Sequence, residues 1–160
     1  MIRPCTDEDI PAIYEIINDA AEAYRGIILA DCWHAPYMPR EELLAEIAAG
    51  VQFSGWDETG LVGVIGIQRV RDATLIRHAY VLAAHQSRGI GAALLAALVQ
   101  QSSGKLLVGT WAAADWAIRF YERHGFRLVA TEEKDQLLST YWNIPDRQRE
   151  TSVVLVYAGN

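Results

Sequence analysis

Cysteine is scarce in this chain, with only Cys5 and Cys32 present. Two cysteines so far apart give neither metal-ligand spacing nor a disulfide framework, so no metal is expected. A reducing, cytoplasmic location is the expectation. Long hydrophobic runs are missing too. No apolar stretch approaches the ~20 residues that span a bilayer. Met1-Ile2-Arg3-Pro4-Cys5 lacks the pattern of a secretory leader, so no membrane partner is expected. Positive charge is in the minority: 14 Lys and Arg stand against 20 Asp and Glu, a net of −6. With no basic cluster, nucleic acid is not expected as a partner. The acidic balance is compatible with a cationic small substrate and equally with plain solubility. Repeats, low-complexity tracts and linkers are absent, and residues 1–160 read as a single domain.

What is present is apolar residue in quantity, 51% of the chain, enough for a packed core. Ile2-Arg3-Pro4 reads as a short strand. Thr6 or Asp7 caps a helix in which Ile10, Ile13, Tyr14, Ile16, Ile17 and Ala20 recur at helical spacing. That helix frays near Tyr24-Arg25-Gly26 into an aromatic loop over 26–38. Pro39 opens a second helix to about Ala49, and Gly50 stops it. Strands over Gln52–Trp56, Leu61–Val70 and Thr74–Val81 form an antiparallel meander. A helix over Gly89–Gln101, a strand over Lys105–Gly109 and a helix over Trp116–His124 follow, the last closed by Gly125. A strand over Phe126–Thr131, a polar and partly helical stretch over 132–150 and a strand over Ser152–Val156 complete the chain. This order implies an α/β fold with a mixed sheet covered on both faces.

Two motifs carry chemistry. In Gln86-Ser87-Arg88-Gly89-Ile90-Gly91, an apolar strand enters a glycine-spaced turn that opens an Ala/Leu-rich helix. Backbone N–H groups at a helix mouth make an anion site suited to phosphate or pyrophosphate. Gly89 and Gly91 let ligand oxygens approach the backbone, and Arg88 adds a full charge. Position 94 is Leu94 where a dinucleotide fingerprint needs Gly or Ala, and no Gly-Lys-Ser/Thr follows. The phosphate therefore belongs to another kind of cofactor. The second motif is Ala114-Asp115-Trp116-Ala117-Ile118-Arg119-Phe120-Tyr121-Glu122-Arg123-His124-Gly125-Phe126.

Together, in this order and spacing, the motifs resemble the GNAT superfamily of acetyl-CoA-dependent N-acetyltransferases. The order of elements resembles it over nearly the whole chain. The resemblance implies a GNAT fold: a mixed, mostly antiparallel central sheet of six or seven strands, flanked by helices on both faces and splayed between the strands at 74–81 and 105–109. It implies acetyl-CoA as acyl donor. The turn from Gln86 through Ser87, Arg88, Gly89, Ile90 and Gly91 to Ala92 then holds the CoA pyrophosphate. The pantetheine arm adds to the strand edge at Tyr80-Val81-Leu82, with Ala114, Ala117, Phe120 and Tyr121 beside it. One departure is Ala114, where the family often has an Asn that helps hold the arm.

On that reading an amine attacks the thioester, a backbone N–H near Val81 meets the oxyanion, and Tyr121 protonates the departing sulfur. An unperturbed phenol has a pKa of about 10 and stays protonated at neutral pH. Spacing alone favours Tyr121 as a core aromatic; the resemblance gives it the acid role. For the general base, His78 on the central strand and His34 in the aromatic loop are candidates, with a structural role or a water chain as alternatives. Tyr24, Trp33, His34 and Tyr37, with Trp111 opposite, either wall a substrate pocket, pack the loop onto the sheet, or form a homodimer contact. The expected substrate is a primary amine on a small, amino-acid-like molecule. Two alternatives stay open: a peptide or protein N-terminus as acceptor, or a catalytically silent CoA-binding module.

Overall fold

The computed structural model describes residues 1–159. Seven strands form one sheet in the order β1-β2-β3-β4-β5-β7-β6. They are β1 (Ile2–Pro4), β2 (Gln52–Asp57), β3 (Leu61–Val70), β4 (Ala73–Val81), β5 (Lys105–Trp111), β6 (Phe126–Leu128) and β7 (Ser152–Tyr157). Every neighbouring pair is antiparallel except β4 and β5. The helices are α1 (Ile10–Ala21), α2 (Arg40–Ala48), α3 (Ile90–Gln101), α4 (Asp115–Arg123), α5 (Thr131–Tyr141) and α6 (Asp146–Glu150).

The helical spacing seen in the sequence is what buries α1. Ile13, Ile16 and Ile17 are almost wholly enclosed and meet Val64 of β3 and Leu43 of α2. On the other sheet face, Leu94, Leu95 and Leu98 of α3 pack on Ile65, Ile76, Leu106 and Val108. Alternation along a strand explains the division. Leu106 and Val108 point toward α3, whereas Leu107 between them meets Leu75 and Tyr141 of α5. Helices α1, α2 and α5 thus cover one face, and α3 and α4 the other.

Two local features open the sheet. Parallel pairing of β4 with β5 runs from Ala73–Lys105 to Ile76–Val108 and stops there. Both strands continue, so the edges beyond Ile76 and Val108 diverge. The divergence coincides with a bulge. Gly66 pairs with Arg77 and Val64 with Tyr80, so one β3 residue faces both His78 and Ala79. His78 takes the left-handed conformation, φ 59°, which costs a non-glycine residue ~1–2 kcal/mol. Gly66 makes room for it: a Cβ there would lie 2.8 Å from the Arg77 carbonyl oxygen.

Two sequence expectations need correction. The strand expected over Phe126–Thr131 ends at Leu128. The Val129 N–H still reaches the Val154 carbonyl at 3.1 Å, but Thr131 begins α5. Glu132 and Glu133 then sit in the first helical turn, where the helix dipole favours acidic groups. The strand expected over Lys105–Gly109 extends to Trp111, carried by pairing with β7. No helix among the described residues is long and apolar enough to cross a membrane.

Candidate active site

The gap between β4 and β5 is a cavity of about 690 Å³, bounded by both strands, the N-terminus of α3 and the inner face of α4. The mouth of α3 is shaped by backbone. Gly89 is its N-cap at φ 82°, and a Cβ there would meet nothing within 4 Å, so the space over it is open. The first intrahelical bond runs from the Ala93 N–H to the Gly89 carbonyl at 3.0 Å. The N–H groups before Ala93 in the first turn have no helical acceptor and carry the positive end of the dipole. Gln86, Ser87, Gly89, Ile90, Gly91 and Ala92 all border the cavity.

Strand β4 presents its own groups. The Leu82 N–H is bonded to the Val62 carbonyl at 2.9 Å, toward β3. Alternation turns the backbone of Val81 to the open edge, where its carbonyl accepts from Gln86 Nε2 at 3.0 Å. Tyr80 and Val81 line the cavity, whereas Leu82 does not. Arg88 also stands outside it, forking onto Glu58 of the β2–β3 turn at 2.8 Å.

On α4, Ala117, Phe120 and Tyr121 line the cavity. Ala114 is fully buried at the helix start and does not reach it. The Tyr121 ring is held edge-on between Phe120 at 5.2 Å and Phe126 at 5.5 Å. Burial, then the neighbouring Tyr24, pushes its phenol well above the ordinary value. It is a neutral O–H at the cavity wall, able to donate a proton or hydrogen bond. Trp116, Arg123 and His124 also border the cavity. They share the Ala117–Phe120 face at steps of three and four, a spacing from which sequence could have named them.

A second, smaller cavity of about 130 Å³ adjoins the first. The two share Tyr24, Ile76, His78, Tyr80, Gly109 and Thr110. Tyr37, Trp111 and the 142–148 stretch, with Trp142, Ile144 and Gln148, line it as well. The Tyr24 and Tyr80 hydroxyls lie 3.4 Å apart, and Trp111 Nε1 donates to Tyr37 Oη at 2.8 Å. Burial pushes all three of these phenols upward. Trp33 and His34 line neither cavity. Both stack on Tyr37, at 5.6 and 6.4 Å, and His34 Nδ1 meets the Pro36 carbonyl at 2.8 Å. Outside, Arg147 of α6 is paired with Asp31 at 3.0 Å, tying the aromatic loop to the C-terminal stretch.

His78 stands where the two cavities meet. Its ring stacks between Phe53 and Tyr80, and Nε2 lies 2.6 Å from Glu46 Oε1. Burial works to raise the Glu46 carboxyl, but the hydrogen bond from His78, the charge that ring carries when protonated, and the charge of Arg77 outweigh it and hold it below its ordinary value. Sequence reasoning missed Glu46. The signal was an acid at Leu43 + 3, beside Ile47 on the buried side of α2.

Comparison with known proteins bears on this geometry. The family described as "Acetyltransferase (GNAT) domain" matches residues 50–128, from β2 to the end of β6. Residues 50–128 form a GNAT acetyltransferase domain. Individual N-acetyltransferases extend the likeness. "Peptidyl-lysine N-acetyltransferase YiaC" of Escherichia coli is 27% identical over 143 residues, covering 89% of this chain and 93% of that protein. The PaiA N-acetyltransferase of Thermoplasma acidophilum, solved with coenzyme A, superposes with a TM-score of 0.73 at 16% identity, over 100% of this chain and 98% of that one. The ribosomal-protein-S18-alanine N-acetyltransferase of Escherichia coli reaches 0.70 at 19% identity, covering 100% and 95%. These structural likenesses establish the fold. Splay, bulge and α3 mouth are the GNAT chain's own features.

Proposed function

We propose that this GNAT protein transfers an acetyl group from acetyl-CoA to a primary amine of a compact molecule. The observation that carries the reading is the junction of two cavities at the β4–β5 splay, with Tyr121 on one side and His78 at the joint. The larger cavity suits CoA. Its glycine-opened helix mouth fits a pyrophosphate, and the unpaired edge at Val81 fits an amide-bearing arm. Arg88 adds charge there only by leaving Glu58.

The acceptor enters the smaller cavity as an ammonium ion and loses one proton to His78 on the way to attack. Its nitrogen bonds to the thioester carbon while the carbonyl π pair moves to oxygen, facing the Val81 N–H. Collapse of that adduct breaks the C–S bond. Tyr121 protonates the sulfur and recovers its proton from the new amide nitrogen, directly or through water. One proton leaves to solvent overall, which balances ammonium and thioester against amide and thiol.

The small volume of the acceptor cavity favours a compact amine. A second reading, a lysine side chain or N-terminus of a protein, is favoured by the substrates in the names of the YiaC and S18-alanine relatives. Thiol release from acetyl-CoA decides between them. The panel holds free amino acids, short diamines, an alanine-initiated peptide and an N-blocked lysine peptide. Turnover of the small amines above both peptides is expected. Turnover of the peptides alone overturns the small-molecule reading, and tight acetyl-CoA binding with no turnover for any amine overturns the enzyme reading.

A further inference from the structure

We infer that Glu46, reaching from α2 to β4, is a positioning residue that selects the tautomer of His78. The inference rests on the reading of His78 as proton acceptor, but its first test does not. The carboxylate sits 2.6 Å from Nε2, so in the neutral ring Nε2 carries the hydrogen and donates it to Glu46. Nδ1 is then the nitrogen with the lone pair. That is the atom left to face an incoming ammonium ion.

Three further observations converge. Glu46 is itself half-buried, and Arg77 Nη2 donates to the same Oε1 at 3.2 Å, which holds that oxygen at the ring. Arg77 is held in turn by Gln68 Oε1 at 2.9 Å. The His78 backbone is in a left-handed conformation inside a strand. A non-glycine residue kept there by a bulge marks a side chain aimed for a purpose, since the strain persists only if the surroundings over-determine it. Last, His78 borders both cavities, whereas Glu46 borders neither. The carboxylate therefore acts through the ring and not on substrate.

The charged and titratable groups around the ring are Glu46 from α2, Arg77 and Tyr80 from its own strand, and Tyr24 and Tyr37 from the segment after α1. The phenols are neutral, so Glu46 and Arg77 are the local charges. When Nδ1 takes the proton, Glu46 faces an imidazolium and stabilises it until water removes the proton.

The test uses the full chain, with His78→Asn to assign the ring's nitrogen signals. Long-range ¹⁵N–¹H spectra at a pH where the ring is neutral should show the Nε2–H tautomer. Glu46→Leu should convert it to a mixture, while Glu46→Gln, which still offers an oxygen, should keep it. An Nδ1–H tautomer in the parent, or a Glu46→Leu spectrum like the parent's, overturns the inference whatever the enzyme acetylates. With the most active amine of the panel, Glu46→Gln should lower kcat about tenfold and move the acid limb of the pH profile downward. KM for acetyl-CoA should not change. An unaltered kcat and acid limb would also overturn it. If the tautomer result holds but His78→Asn retains full activity, the assignment of His78 as base fails and the Glu46 clamp stands.

Discussion

Tyr121→Phe separates chemistry from folding because the change removes one oxygen and nothing else. The ring is enclosed, only 6% exposed, and its packing between Phe120 and Phe126 survives in phenylalanine. Its hydroxyl faces the cavity rather than a protein acceptor, so no partner is orphaned. Stability should change by no more than ~0.5 kcal/mol, the usual range for a substitution that breaks no contact. The catalytic effect is of another order. A positioned proton donor contributes ~100-fold or more, equivalent to ~2.7 kcal/mol of barrier. Because burial raises this phenol above its ordinary value, it remains protonated through the alkaline range. The variant should therefore lose rate equally at all working pH values, leaving the alkaline limb where it was. The assay is thiol release under saturating acetyl-CoA, with calorimetric acetyl-CoA affinity and urea unfolding measured alongside. A fall in kcat with both controls flat supports the donor role. Full-speed turnover, or a loss explained by weaker acetyl-CoA binding, would remove Tyr121 from the reaction.

Further outcomes follow from the same geometry. Gly89→Val places a branched side chain at φ 82° over the α3 mouth. It should weaken acetyl-CoA binding at least tenfold by calorimetry and cost ~1–2 kcal/mol of stability. Gly66→Ala drives a Cβ to 2.8 Å from the Arg77 carbonyl, so β3 or β4 must shift. A loss of ~1–3 kcal/mol in urea unfolding is expected, with His78 displaced and turnover reduced. The Asp9 carboxyl, hydrogen-bonded by Arg3 and by the Thr6 N–H, is held down at about 2. Its folded value lies below its unfolded one, so its contribution is intact above the ordinary carboxylate range and fades as pH falls toward 2. Melting temperatures should drop across that window in the parent and less steeply in Asp9→Asn.

The parts of this protein written in local pattern were readable in advance. β3 begins and ends at the expected residues because its Val/Ile run is bounded by Gly60 and Arg71-Asp72. The Gly89–Gly91 turn announces α3 for the same reason. Features that depend on partners distant in the chain were not readable. The His78 bulge is set by its register with Gly66, and the Glu46 contact spans 32 positions between α2 and β4. Periodicity along one element carries neither. Arg88 was expected at the anion site from its place in the motif, but Glu58, on a turn 30 positions away, holds it at the rim. For Trp33 and His34 the sequence leaves substrate wall and loop packing equally open. In the structure they stand behind Tyr37, which does reach the smaller cavity.

The meeting of two chambers at shared residues has a kinetic consequence. On the proposed reading, donor and acceptor occupy different space and touch only at the joint, so each can be seated while the other is present. Reciprocal plots for the two substrates should accordingly intersect rather than run parallel. A dead-end acceptor analogue should leave the donor's dissociation constant nearly untouched. If the proposal holds, the gap between two strands that stop pairing sets the order of encounter: both partners first, bond exchange second.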